Sequence, residues 1–594
     1  MFMLIQIIFM FYFSKSSSTT DIPTCSSPLY CQGHILHLLQ KGQPFSDSKH
    51  YVDMTMKFEE RIIVDKFNEL HRLFNGHVGT KDAKKFIIEN FAMEDELDEW
   101  KAPDYSPEPP FLKRILEPNY EVFARKLIPI WNNLGRKVKP QVAHSSNISR
   151  HSIIPVPNPF IIPGGRFREF YYWDSYWIAV GLLYSGMGNT VRGMLDNFSW
   201  LVKTYGFIPN GGRIYYLNRS QPPVFTMMVL DYLKKNVDAD NEWLKKNIGF
   251  IEMELNFWLK RKTVTFKMNN VEYTLARYIV NSTDPRPESY YEDFVTCEYP
   301  PKAEAKSKCF RELKAGAESG WDFSSRWMTT SESLFDINTS HIAPVDLNAF
   351  LVRSFYILAM LFNKIGNKDK SDHWFNIYKK WSTTLHKVMY NEQDGIWYDY
   401  DVVKSRQNKQ FFCSNFAPLW AQIYSKSKLR DRLGFRAVNY LLKHNVMVYK
   451  GGIPATFKHS GEQWDYPNAW PNLQSIVILG LKRSKNQKAE KIAKLLAERW
   501  INTNLALFNK TNQMYEKYNA ESTGEAGGGG DYSTPTGFGW SNGVVLELIA
   551  EFFAKKDNTF ELDIEGEFEK SSSSCCESTI RILYLIVIST RLIL

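Results

Sequence analysis

The 594-residue chain has no Cys-x-x-Cys array, and its seven cysteines fall at no metal-ligand spacing, which argues against zinc. It has no phosphate-cradling glycine loop, nicotinamide fingerprint or metal cluster, so no cofactor is expected. Its net charge of +9 is spread over Lys and Arg without a long basic run, and no nucleic-acid-binding signature is present. Nucleic acid is therefore not an expected partner, and nothing implies a protein partner. Period-two strand patterns are scarce and short. No linker rich in Pro, Gly or Ser divides residues 30 to 560, which favours one large domain over two.

What is present is apolar and aromatic. Hydrophobic residues make up 44% of the chain, enough for a sizeable core, and aromatics make up 15%, with 17 Trp and 31 Tyr. Trp and Tyr suit surfaces that must be apolar yet hydrogen-bonding, as carbohydrate sites are. Helical periodicity dominates. In KAEKIAKLLAERW, Ile492, Leu495, Leu496 and Trp500 recur at the spacing of one helix face. Met194, Leu195, Phe198, Leu201 and Tyr205 do the same, with Gly206 placed where a C-terminal cap belongs. The fold class expected is all-α.

The two ends differ from the body. MFMLIQIIFMFYF followed by SKSSSTTD reads as a secretory signal over residues 1–20, although its start lacks the usual Lys or Arg. Six Asn-x-Ser/Thr sequons, at Asn147, Asn197, Asn218, Asn281, Asn338 and Asn509, matter only on that route. On it, Cys25 with Cys31 and Cys297 with Cys309 are near enough in sequence to form disulfides. The expected location is extracellular. In the tail, residues 561–594, only nine residues separate Arg581 from Arg591, against the roughly 20 apolar residues of a spanning helix. A variable tail is expected there, with a degenerate lipid-anchor signal as the alternative.

Between the helices lie loops dense in polar and aromatic residues: IIPGGRFREFYYWDSYW, GFIPNGGRIYYLNRSQPP, DPRPESYYED, ESGWDFSSRW, EQWDYPNAWPN and YEKYNAESTGEAGGGGDY. Trp-Asp recurs at 173–174, 321–322 and 464–465, intervals too long, and too helical between, for a propeller. Glycoside hydrolysis needs one carboxyl protonated as acid and another ionised as base or nucleophile. Asp322, framed by Trp321 and Phe323, would keep its proton, whereas Arg326 would oppose that. Glu516, beside Lys517, would stay charged. Blander readings stand beside these. Asp322, Asp174 and Asp465 can cap helices. Trp173 and Trp464 can be core, each arginine can be a structural ion pair, and Gly527–Gly530 can be linker.

PGGRFREFYYWDSYW and QWDYPNAWPN resemble the two signatures of the trehalase family. NRSQPP, PRPESYYED, GWDFSSRW, EKY and the glycine-rich loop extend the resemblance over about residues 30–555. CSSPLYCQGHILHLLQ is similar to the animal, secreted branch. The resemblance implies an (α/α)6 barrel in a single catalytic domain, residues 21–560, that hydrolyses α,α-trehalose to two glucoses with inversion, using only water. It implies Asp322 as general acid and Glu516 as general base. Arg166, Arg219 and Arg286 match the essential arginines. Phe167, Tyr171, Trp173, Asp174, Asn210, Gln221, Glu288, Gly320, Gln463 and Trp464 match binding positions, and Asp531 would close over the sugar in a lid. Two departures bear on lid fit or affinity: Asp531 stands where Glu is usual, and Asn472 where Pro is usual. The rivals are another inverting glycosidase on the same barrel and a decayed trehalose-binding paralogue. Turnover of maltose above trehalose would mark the first, and tight binding without hydrolysis the second.

Overall fold

The computed structural model describes residues 25–144, 148–235, 241–298, 303–328, 333–424, 427–530 and 532–556. The proposed signal, Asn147, Asp531 and the C-terminal tail lie outside the described residues.

Helices Asp174–Tyr184, Phe225–Lys235, Val345–Lys364, Ala417–Trp420, Pro471–Arg483 and Gly539–Phe553 contact one another in that order, and the last closes on the first. This inner ring is apolar nearly all round, as a helix must be when it is packed on every side. Val345–Lys364, for instance, is buried from Val345 through Phe362. That helix is also long and apolar enough to cross a membrane, but its apolar surface is spent inside the ring.

Around the ring pack Pro118–Leu127, Gly188–Tyr205, Asn241–Arg261, Lys368–Met389, Ser427–Lys443 and Gln487–Thr511, giving the (α/α)6 barrel. Five of these outer helices follow an inner one in the chain, whereas Pro118–Leu127 precedes the ring and packs on its last member. They are amphipathic. Gly188–Tyr205 buries Met194, Leu195, Phe198 and Leu201 and ends at Gly206, whose φ of 81° suits a residue without a β-carbon.

In Gln487–Thr511 the buried stripe is Ala489, Ala493, Leu496, Ala497 and Trp500, while Leu495 is 51% exposed and Ile492 only half-buried. The face expected from the larger apolar residues is thus rotated. The buried face combines small alanines with Leu496 and Trp500, and the helix packs against Pro471–Arg483.

Strands are short, except for a hairpin pairing Thr263–Met268 with Val271–Ala276 in the register Thr263 to Ala276. Both expected disulfides form, Cys25–Cys31 and Cys297–Cys309, and Cys413 is a buried free thiol. The N-terminal stretch builds its own small core from Leu29, Tyr30, Leu36, Ile63, Phe67 and Ile87. It shares Tyr171, Tyr215, Tyr216 and Tyr290 with the loops over the barrel mouth.

Candidate active site

The loops that enter the inner helices carry the site. Trp173 immediately precedes one inner helix, Asp174 begins it, and Gln221, Trp470 and Phe538 lie just ahead of three others. One pocket at this end of the barrel is lined by Arg166, Phe167, Tyr171, Trp173, Asp174, Asn210, Arg219, Gln221, Arg286, Glu288, Gly320, Asp322, Gln463, Trp464 and Glu516. The structure thus brings together every candidate except Asp531, which lies outside the described residues. It adds Tyr216, Ser289, Ala317, Trp470, Tyr532, Phe538 and Trp540. Most of these stood inside the quoted motifs, but nothing in their sequence spacing separated a pocket wall from core.

Asp322 stands on the turn after helix Ala303–Glu318, half-buried at the pocket. It does not cap the following turn; that turn's cap is Ser324, which accepts from Arg326 N–H. Arg326 is not its charged neighbour either. Its guanidinium is buried, paired with Asp346 and Asp399 and stacked on Trp321 and Trp327, so it braces the loop from behind. A cation near Asp322 is instead Arg286, with Nη1 3.8 Å from Oδ2. Arg286 is held by Asp293, to which Nη2 donates at 2.7 Å.

Asp465 neither caps a helix nor lines the pocket. Its buried carboxylate accepts from Ser324 Oγ at 2.8 Å, Ser325 N–H at 2.7 Å and Thr456 Oγ1 at 2.9 Å, and from the Ser325 and Ser460 hydroxyls. It pins the loop that carries Asp322. Gly320, at φ 75°, lies so close to Trp173 that a β-carbon would sit 2.5 Å from the indole.

Glu516 is buried on the opposite segment. Lys517 Nζ stands 3.2 Å from its Oε2, and Tyr532 OH donates to Oε1 at 3.0 Å. The glycine-rich run is not loose linker. Gly528 N–H donates to Asn468 Oδ1 at 3.0 Å, and Asn468 Nδ2 returns a bond to Gly528 O at 2.7 Å. Asn472 lies outside the pocket lining, buried in the first turn of its helix, where its Oδ1 accepts from Leu473 N–H. Glu521 and Glu525 are exposed.

The pocket floor is aromatic. Trp464 and Trp470 stack at 3.7 Å, and Trp540 meets both edge-on. Arg219 donates to Asn210 Oδ1 at 3.0 Å and to Glu288 Oε1 at 2.6 Å. Burial alone would raise the Glu288 pKa, but Arg219 and Arg286 outweigh it and hold the carboxyl below its ordinary range. Asp174 goes the other way. Burial first, then the charges of Glu516 and Asp322, push its carboxyl well above the usual range. Carboxyls shifted in opposite directions, fixed guanidinium groups and stacked indoles together suit a polyhydroxylated ligand with apolar C–H faces. Among the described residues no cluster of His, Cys, Asp and Glu is arranged to hold a metal.

The Trehalase family model matches residues 43–553. The chain belongs to the trehalase family. It is 46% identical to the trehalase of Tenebrio molitor over 541 residues, covering 90% of this chain and 97% of the relative. It is 41% identical to the trehalase of Homo sapiens, covering 89% and 90%. Neutral trehalase Nth1 from Saccharomyces cerevisiae shares the fold, with a TM-score of 0.54 at 24% identity over 67% of this chain and 74% of that one. Within the family frame, the motif loops quoted above are the ones that line the pocket.

Proposed function

We propose that the protein hydrolyses α,α-trehalose to two molecules of glucose with inversion at the attacked anomeric carbon. The observation that carries this is the meeting in one aromatic pocket of Asp322 and Glu516, from segments nearly two hundred residues apart, in a chain of the trehalase family. Asp322 protonates the glycosidic oxygen as the bond to the anomeric carbon breaks. Glu516 takes a proton from the water that attacks that carbon from the other face. One glucose leaves as the α anomer and the attacked one as β, and water supplies the atoms added. Arg166, Arg219 and Arg286 grip hydroxyls, and the stacked indoles take the C–H faces.

We assign residues 21–560 to one catalytic domain, because the small N-terminal core is completed by tyrosines of the barrel loops. We assign the protein to the extracellular space, which the two disulfides favour.

Proton NMR of purified protein with trehalose tests the chemistry before mutarotation blurs it. Equal initial α- and β-glucose, lost in Asp322→Ala and in Glu516→Ala, is the expected result. Only α-glucose would make the enzyme retaining and remove Glu516 as base. Faster turnover of maltose would move the substrate assignment.

A further inference from the structure

Lys517 follows Glu516 in the chain, and its ammonium is fully buried. It does not line the pocket. Its Nζ stands 3.2 Å from Glu516 Oε2 and donates to Gln463 Oε1 at 2.8 Å, flanked by the rings of Trp470 and Tyr532 with centroids at 5.0 and 5.2 Å. The other end of the Gln463 amide donates to the backbone carbonyl of Asp322 at 2.5 Å. A continuous line of polar contacts therefore runs from the backbone of Asp322, through Gln463 and Lys517, to the Glu516 carboxylate.

An ammonium removed from water needs a counter-charge and acceptors. Lys517 finds them in Glu516 and Gln463, so the lysine and the carboxylate hold each other in place. Among the described residues, the titratable groups near Glu516 include Lys517, Tyr532 and Asp174; Asp322 acts on Asp174 and Tyr532, and the Arg166 guanidinium lies over the Tyr532 ring. Asp174 opposes a negative charge on Glu516, and Lys517 is a cation in contact with it.

We propose that Lys517 is the positioning residue of the base. It supplies a buried counter-charge to the Glu516 carboxylate, and through Gln463 it holds that carboxylate at a set place relative to the Asp322 loop. Acid and base then sit on one braced unit, which an inverting reaction needs if water is to fit between the base and the sugar. This rests on Glu516 being the base.

The test is the pH dependence of kcat and kcat/KM on trehalose for the wild type, Lys517→Met and Lys517→Arg, with thermal unfolding alongside. Without the cation the carboxylate form of Glu516 loses a favourable charge contact, so the acidic limb of the profile is expected to move to higher pH. For Lys517→Met we expect the limb to move up by about one pH unit or more and kcat to fall about 100-fold at the wild-type optimum. Lys517→Arg should restore the position of the limb, which a released Gln463 alone would not move. If Lys517→Met does not fold, Lys517→Gln keeps a donor to Gln463 without the charge and is expected to show the same displacement. A folded, weakened Lys517→Met or Lys517→Gln with an unmoved acidic limb would overturn the proposal. Wild-type protein inert on trehalose, or Glu516→Gln with full activity, would instead strike the underlying reading.

Discussion

Asp47 takes the fork of Arg166 in both hands: Arg166 Nε donates to Asp47 Oδ2 at 3.0 Å and Nη2 to Oδ1 at 2.8 Å. Asp47 belongs to the N-terminal segment, and Arg166 lines the pocket with its guanidinium 4.7 Å from the centre of the Tyr532 ring. A bidentate carboxylate fixes the plane of a guanidinium as well as its position. Asp47→Ala is expected to raise KM for trehalose about tenfold with kcat changed less, because Arg166, proposed to grip the sugar, loses its orientation and not its charge. Steady-state kinetics check it; an unchanged KM would place the pair outside substrate binding.

Asp465 ties down the loop of Asp322 by hydrogen bonds to Ser324 and Ser325 on that loop and to Thr456 and Ser460 nearby. Asp465→Ala leaves these donors buried and unpaired, at a cost of about 3 kcal/mol or more. Its kcat should fall about 100-fold while KM moves little, since the acid is displaced more than the sugar is released. Differential scanning calorimetry and kinetics read the two effects separately.

Gly320→Ala should be among the most damaging single-methyl changes in the protein. The added carbon meets the Trp173 ring at 2.5 Å, and the backbone there is left-handed. Activity on trehalose is expected to drop about 100-fold, with a lowered Tm. Activity near wild type would mean the indole yields freely.

Glu254 lies in the core, where burial pushes its carboxyl up to about 8 although the Tyr172 hydroxyl bonded to it pulls the other way. A folded-state value above the unfolded one gives stability that is complete below the unfolded value. That stability is lost as pH rises through the folded value. The wild-type Tm should therefore decline between about pH 5 and about pH 8 through this group, and Glu254→Gln should flatten that decline. Thermal melts across this range decide it.

Among the sequons on described residues, Asn197 and Asn338 are buried, and both are hydrogen-bonded, Asn197 Nδ2 to Asn158 O and Asn338 Oδ1 from Lys308. Asn218 is half-buried beside Arg219. Asn281 and Asn509 are exposed. Mass spectrometry of protein secreted from eukaryotic cells should find glycans at Asn281 and Asn509 and none at the other three. Full occupancy of Asn218 in active enzyme would contradict the placement of Arg219 in the pocket.

Helix periodicity and the long motif loops determined much about this protein without any coordinates. An amphipathic repeat records burial residue by residue, and the motif order identified the carboxylates, arginines and indoles that meet in one pocket. Tertiary structure decided how those groups face one another, because charge and packing act through space. Arg326, four residues from Asp322, turns away to Asp346 and Asp399, and Arg286 approaches in its stead. Asp465 proved to be a loop anchor, Asp47 reached Arg166 from the N-terminal segment although no quoted motif contained it, and alanines outranked Leu495 on a helix face. In each case the deciding quantity was a distance between chain segments, which only the closed barrel sets.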